Sequence, residues 1–185
     1  LVFFLVPNVS ISSEQEDALN FVQTLGNKAI EMLASDSLTE DQKIIEFEKL
    51  LDKGFEVSLI ARYALGKHWR KTPKDKRERY VLAFRKFIVD SYAARLGQFG
   101  GEKFYTKNVR DDGKRGFIVN SLIETPSGSK VKVDWRVKKI NDSLRIYDVV
   151  IEGISMVITQ RDEFSSIIQR SGGNIDTLIQ KLENF

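Results

Sequence analysis

The apolar residues change period once near the middle of the chain, across Gly100-Gly101, and that change limits the possible folds more than any other feature. Upstream, apolar side chains recur every third or fourth residue, the repeat that lays one stripe of a helix on a core. Downstream, apolar and polar residues alternate, the repeat of a strand buried on one face. A chain that is helical first and stranded second builds an α+β fold, with helices covering one face of an antiparallel sheet.

The upstream half divides into four predicted helices. Ala18, Phe21, Val22, Leu25, Ala29, Met32 and Leu33 mark the first, over about residues 14–35, with Gly26 as an internal blemish. Thr39 and Gln42 have the spacing of a capping box, in which each satisfies a free backbone N–H of the other. They start a second helix whose stripe is Ile44, Phe47, Leu50 and Leu51. Residues 55–69 read as a third. Thr72-Pro73 supplies an N-cap and a first-turn proline for a fourth, from Lys74 to about Phe99.

Four strands are expected next, over residues 104–110, 116–124, 129–140 and 144–153. Asp111-Asp112-Gly113, Pro126-Ser127-Gly128 and Asn141-Asp142 are the turns between them. Val131, Val133, Trp135 and Val137 share one face of the third strand; Lys130, Lys132, Asp134, Arg136 and Lys138 share the other. A helix from about Gln160 and a short one over residues 175–182 close the chain. The expected architecture is helices packed on a curved four-stranded antiparallel meander with a C-terminal helical tail, all in one domain over residues 13–185.

Composition narrows function mainly by exclusion. The chain of 185 residues has no Cys and one His, His68, which excludes disulfides, cysteine nucleophiles and multi-histidine metal sites. The net charge of +3 hides an asymmetry. Residues 1–66 carry 5 basic and 11 acidic side chains, residues 67–115 carry 15 and 6, and residues 116–185 carry 9 of each. A basic middle is either a solvated helix face or a contact for nucleic acid, anionic lipid or an acidic partner. The start, Leu1-Val2-Phe3-Phe4-Leu5-Val6 followed by small residues, reads as the end of a secretory signal over residues 1–12, with Ser10 and Ser12 at the cleavage spacing. That run is too short to span a bilayer, so stable membrane insertion is not expected.

Catalytic candidates are few. His68 stands in Lys67-His68-Trp69-Arg70, where neighbouring cations depress its pKa. Asp148 and Glu152 fall in the last predicted strand, where they form either an acid–base pair in a pocket or a polar face paired to basic neighbours. The fourth helix interleaves Arg and Lys with Tyr80, Phe84, Phe87 and Tyr92, a pattern that binds single-stranded nucleic acid only if those aromatics are exposed. They fall on the helix's core stripe, so nucleic acid is not an expected partner.

Two blocks carry a resemblance. The first is Phe55-Glu56-Val57-Ser58-Leu59-Ile60-Ala61-Arg62-Tyr63-Ala64-Leu65-Gly66-Lys67-His68-Trp69-Arg70, followed by Thr72-Pro73 and Phe84-Arg85-Lys86-Phe87. The second runs from Tyr147-Asp148-Val149-Val150 through Ile151-Glu152-Gly153-Ile154-Ser155-Met156 to Arg161-Asp162-Glu163-Phe164. Together they resemble the MlaC / toluene-tolerance family, periplasmic auxiliary proteins of lipid-transporting ABC systems. The resemblance implies a sheet related to the nuclear-transport-factor-like cone, with phospholipid tails held between sheet and helices. It also implies a carrier that is not an enzyme and has no cofactor. Its partners would be an inner-membrane MCE-domain ABC complex and an outer-membrane lipoprotein–porin complex. The cargo is a phospholipid or, for relatives of another kind, a hopanoid.

On that reading the expected tail contacts are Val131, Val133, Trp135, Val137, Val149 and Ile151 on the sheet, then Ile154, Met156 and Ile158 after it. Tyr63, Tyr92, Leu96 and Phe99 join them from the helices. Arg95 and Lys103 are expected near the lipid phosphate, and the surface of the fourth helix with Arg77, Arg79 and Arg85 is expected to dock partners.

Overall fold

Among the described residues, six helices and five strands form two packed bodies. The computed structural model describes residues 13–96 and 98–185, apart from the side chains of Ala94 and Arg95. The expected signal remnant, residues 1–12, and the Arg95 side chain lie outside the described residues. Helices α1 (Ser13–Ala34), α2 (Glu40–Gly54), α3 (Val57–Leu65) and α4 (Lys74–Leu96) come first, with a 3₁₀ turn, Gly66–Lys71, between α3 and α4. Strands β1 (Lys103–Asp111), β2 (Phe117–Glu124), β3 (Lys130–Ile140), β4 (Ser143–Ile151) and β5 (Ile154–Ser155) follow, then α5 (Met156–Arg170) and α6 (Ile175–Glu183). The sheet is an antiparallel meander in chain order.

Several elements differ from expectation. The sheet has five strands, because Ile154-Ser155 turns back onto Val150-Ile151. Helix α5 starts at Met156, not near Gln160, so Met156 and Ile158 sit on its first turn. The third helix stops at Leu65, where Gly66 adopts φ +56°, and tightens into the 3₁₀ turn before Trp69. Helix α4 ends at Leu96, ahead of Phe99. The capping box at Thr39 forms as read: Gln42 N–H donates to Thr39 Oγ1 at 3.2 Å and Thr39 N–H donates to Gln42 Oε1 at 2.9 Å.

The first body is α1 laid on the sheet. Ala18 and Val22 meet Phe104, Val119, Val137 and Ile146, with Trp135, Val149 and Phe55 packed around them. Pairing of Val119 with Trp135 and of Trp135 with Val149 puts the apolar residues of β2, β3 and β4 on this one face. The second body is α3, α4, α5 and α6 around Tyr80, Phe84 and Phe164. Tyr80 is fully buried and its hydroxyl donates to the Ala61 carbonyl at 3.0 Å.

The basic run on α4 is spent inside the molecule. Arg79 grips Glu183 of α6 through two bonds of 2.7 and 2.6 Å, and this pairing holds the Glu183 carboxyl below its usual range. Arg85 reaches Glu48 and Asp52 of the acidic α2, and Lys76 pairs with Asp176. Arg77 lies over Trp69 and donates to the Trp69 and Arg70 carbonyls. Arg77, Arg79 and Arg85 therefore tie helices together rather than standing free for a partner. Of the aromatics on this basic helix, Tyr80 and Phe84 are in the core and Phe87 is half-buried, while Tyr92 is exposed.

Gly26 is a contact site rather than a blemish. A Cβ there would come within 2.3 Å of the Phe104 ring, itself packed edge-on against Trp135. Alanine favours a helix over glycine by about 1 kcal/mol. Forcing the ring out of a packed core costs about 1–3 kcal/mol. Overpacking wins, so Gly26→Ala should lower the urea-unfolding free energy by about 1 kcal/mol or more; a stabilised variant would contradict this packing.

Candidate functional site

A groove follows the seam where the helical body meets the outer face of the sheet. One wall is α3 and the 3₁₀ turn, contributing Arg62, Tyr63, Gly66, Trp69 and Arg70. The other is β3, β4 and the first turns of α5, contributing Arg136, Tyr147, Asp148, Val157, Ile158 and Arg161. The cavity measures about 390 Å³. A second, of about 260 Å³, shares Tyr63, Arg136 and Tyr147 with it and runs on to Asp112, Lys114, Arg115 and Lys138. Such volumes suit a small ligand or one end of a larger one.

A bulge in β4 builds the floor. Arg136 pairs with Asp148 and Val137 with Ile146, so Tyr147 is an extra residue. Neighbouring strand residues ordinarily point to opposite faces; a bulge re-aims one of them. Tyr147 and Asp148 consequently line the same groove. The Tyr147 hydroxyl donates to the Arg115 carbonyl at 3.0 Å, and its ring meets Tyr63 edge-on at 6.2 Å between centroids. Burial pushes the Tyr147 phenol above its ordinary pKa, so it stays a neutral donor.

Asp148 is the buried hub. Its Oδ2 accepts from Arg136 Nη1 at 3.0 Å and from Ser155 Oγ at 2.7 Å. Its Oδ1 accepts from the Val157 N–H at 3.1 Å. Ser155 Oγ in turn accepts from the Ile158 N–H at 3.1 Å as the N-cap of α5. The carboxylate thus sits where the free N–H groups of a helix start favour negative charge. Glu152 is elsewhere, in the exposed β4–β5 turn, with its carboxylate accepting from the Lys132 N–H. The two carboxylates do not share a pocket as an acid–base pair would.

The groove is strongly cationic. Arg62, Arg70, Arg136 and Arg161 line it, and among the described residues Asp148 is the only carboxylate in the lining, with a donor on each oxygen; Arg161 also pairs with Asp162 at 3.8 Å. In the adjoining cavity Asp112 is paired with Arg115 at 2.8 Å. Among the described residues Arg62 and Arg70 make no ion pair. Sequence reading missed this cluster because its arginines come from four separate segments, and only Arg70 lies in the basic middle.

The expected tail contacts fall into separate groups. Tyr63 and Ile158 line the groove, and Met156 stands half-buried in the same turn of α5 as Ile158. Val133 and Val137 are buried, with Val131, Trp135, Val149 and Ile151 half-buried beside them on the inner sheet face. Tyr92 packs on Phe47 at 5.7 Å, Leu96 is buried and Phe99 half-buried, all at the far end of α4. Ile154 is exposed at the start of β5, and Lys103 is exposed at the start of β1. His68 stays outside the groove lining, and its Nε2 is buried without a hydrogen-bond partner among the described residues.

Fold and groove define a helix-wrapped antiparallel sheet with a basic, partly apolar cleft at the seam of two bodies. The family model for MlaC protein matches residues 23–184, and the chain belongs to the MlaC family. It is 27% identical over 124 residues to the intermembrane phospholipid transport system binding protein MlaC of Haemophilus influenzae, and 24% identical over 114 residues to toluene tolerance protein ttg2D of Pseudomonas putida. Those matches cover 64% and 61% of this chain but 56% and 53% of the relatives, so the chain spans about half their length. The fold matches that of a phospholipid-binding protein from Ralstonia solanacearum, solved with a phospholipid, at a TM-score of 0.77 and 21% identity, covering 90% of this chain and 95% of that one. The two blocks that carry the resemblance in sequence are the two walls of the groove, brought together by the fold.

Removing the hub carboxylate would leave a guanidinium, a hydroxyl and a helix N–H without their acceptor. Asp148→Ala should cost about 3 kcal/mol of unfolding free energy, and Asp148→Asn less, because it keeps one acceptor oxygen; denaturant titrations that find Asp148→Ala neutral would contradict the hub. His68 gives a second expectation. Its burial, then Lys67 and Lys71, hold its pKa below the ordinary 6.5. The folded state therefore favours the neutral ring, and that contribution is full above 6.5 and lost as pH falls through the lower folded value. Stability measured from about pH 7 to 5 should decline less steeply in His68→Gln than in the parent chain.

Proposed function

We propose that this protein is a phospholipid carrier that takes lipid into the seam between its helical body and its sheet. The reading rests above all on the match, over 90% of the chain, to a fold solved with a phospholipid. Family membership and the seam groove support it. Apolar surface on both walls, from Tyr63, Trp69, Val157 and Ile158, gives acyl carbons a place to start. Each buried CH₂ is worth roughly 0.8 kcal/mol, so a tail of about 16 carbons gains on the order of 10 kcal/mol. The groove of about 390 Å³ is at the small end for ligand sites, so loading of two tails widens the seam.

A gain of that size makes release into water slow. The carrier hands lipid over only when docked to a partner that continues the apolar path. On this reading it works in the periplasm between an inner-membrane MCE-domain ABC complex and an outer-membrane lipoprotein–porin complex, and catalyses no reaction. Among the described residues no helix is long and apolar enough to cross a membrane. The rival reading, an enzyme using Asp148 and Glu152, has lost its arrangement, because Asp148 is consumed in holding α5 and Glu152 lies outside the groove.

Organic extraction of natively purified protein followed by mass spectrometry tests the proposal. The expected result is phospholipid at near one molecule per chain. Recovery of a hopanoid instead would reassign the cargo, and repeated recovery of no lipid would overturn the carrier reading.

A further inference from the structure

The charge of the groove says which lipids it favours. Every phospholipid carries a phosphate ester, but zwitterionic head groups add an ammonium that needs an anionic or polar partner. Here Arg62, Arg70, Arg136 and Arg161 surround a single carboxylate, Asp148, whose oxygens are already taken by Arg136, Ser155 and Val157. The adjoining cavity adds Lys114 and Lys138, and its Asp112 is occupied by Arg115. Arg136 is paired with Asp148 and Arg161 with Asp162 at 3.8 Å, but among the described residues Arg62 and Arg70 have no carboxylate partner, so an ammonium placed in the groove meets their like charge. A head group with net negative charge meets guanidinium donors that can grip phosphate oxygens in pairs.

The arginines also have anchored stems. Arg161 packs its Cγ and Cδ where a side chain on Gly66 would stand, 2.8–3.1 Å from that Cβ position, so the glycine makes room for it. Arg136 is held by Asp148 at 3.0 Å while its side chain lines both cavities. Arg62 and Arg70 are exposed and, among the described residues, free of ion pairs, so they are available to a ligand and not needed for packing.

We propose that the seam groove is a head-group site selective for phospholipids of net negative charge, with Arg62 and Arg70 as the residues that determine selectivity. This rests on the carrier reading above and goes beyond it by naming the lipid class. The shared chemistry is a phosphate oxyanion, which free phosphate also offers, so the test separates the two.

Full-length protein is incubated with vesicles of equimolar phosphatidylglycerol and phosphatidylcholine with matched acyl chains, re-isolated, and its lipid quantified. The expected result is a several-fold excess of phosphatidylglycerol at low salt, shrinking as salt rises from roughly 0.05 to 1 M and the Debye length contracts. Arg62→Gln/Arg70→Gln should bring the ratio close to one, through loss of phosphatidylglycerol. Arg79→Gln, outside the groove, should leave the ratio as in the parent. Equal loading of both lipids by the parent protein, or an unaltered ratio in the double variant, would overturn the proposal while leaving the carrier reading intact. Loading of neither lipid would overturn both. In a parallel arm, tight binding of inorganic phosphate that depends on Arg62 and Arg70, combined with equal loading of the two lipids, would assign the groove to free phosphate and overturn the head-group claim.

Discussion

One buried carboxylate joins the two halves of this molecule. Asp148 lies on β4, takes a guanidinium from β3, and fixes the N-cap serine and the second residue of α5. The sheet contributes one set of donors and the helical body the other. Their convergence sets where α5 starts, and α5 carries Phe164, Ile167 and Ile168 into the helical core. A charge this deep is tolerated because every oxygen has a donor; taken singly, ion pairs of this kind are weak evidence for stability. Its value here is positional, since it fixes the angle between two bodies whose apolar cores are otherwise separate.

That division explains where a cleft can form. α1 closes the inner sheet face and α3–α6 pack on themselves, and the groove lies where the second body meets the outer sheet face. The acidic and basic residues are arranged around it unequally. α2 and α6 neutralise much of α4, including Arg79 and Arg85, whereas Arg62 and Arg70 of the seam have no carboxylate partner among the described residues. Cation density that averages out along the chain is thereby concentrated at the cleft.

Much of the fold was legible from periodicity. The helix stripes of α1 and α2, the capping box at Thr39 and the turn at Asn141-Asp142 depend on local pattern, and they form as read. What was not legible depends on distant contacts. Ile154-Ser155-Met156-Val157-Ile158-Thr159 has the β-branched content of a strand, yet most of it is helix, because Asp148 and Ser155 cap its N–H groups. A two-residue strand such as β5 is too short for any alternation to register. Gly26 looked like a defect because sequence cannot show the Phe104 ring that fills its space. The cleft was half legible: both resemblance blocks line it, and Tyr63 and Ile158 were chosen. Arg62, Arg70, Arg136 and Arg161 were passed over because a charge count along the chain sees runs, not convergence.

The most direct measurement of the central claim is to load the protein with a phospholipid bearing a photoreactive group at the glycerol end of one acyl chain, irradiate, and map the labelled peptides. Lipid held in the seam predicts adducts on residues 62–70 and 155–161 and on the facing parts of β3 and β4. Adducts confined to the outer surfaces of α1 and α2, or scattered without preference, would contradict it.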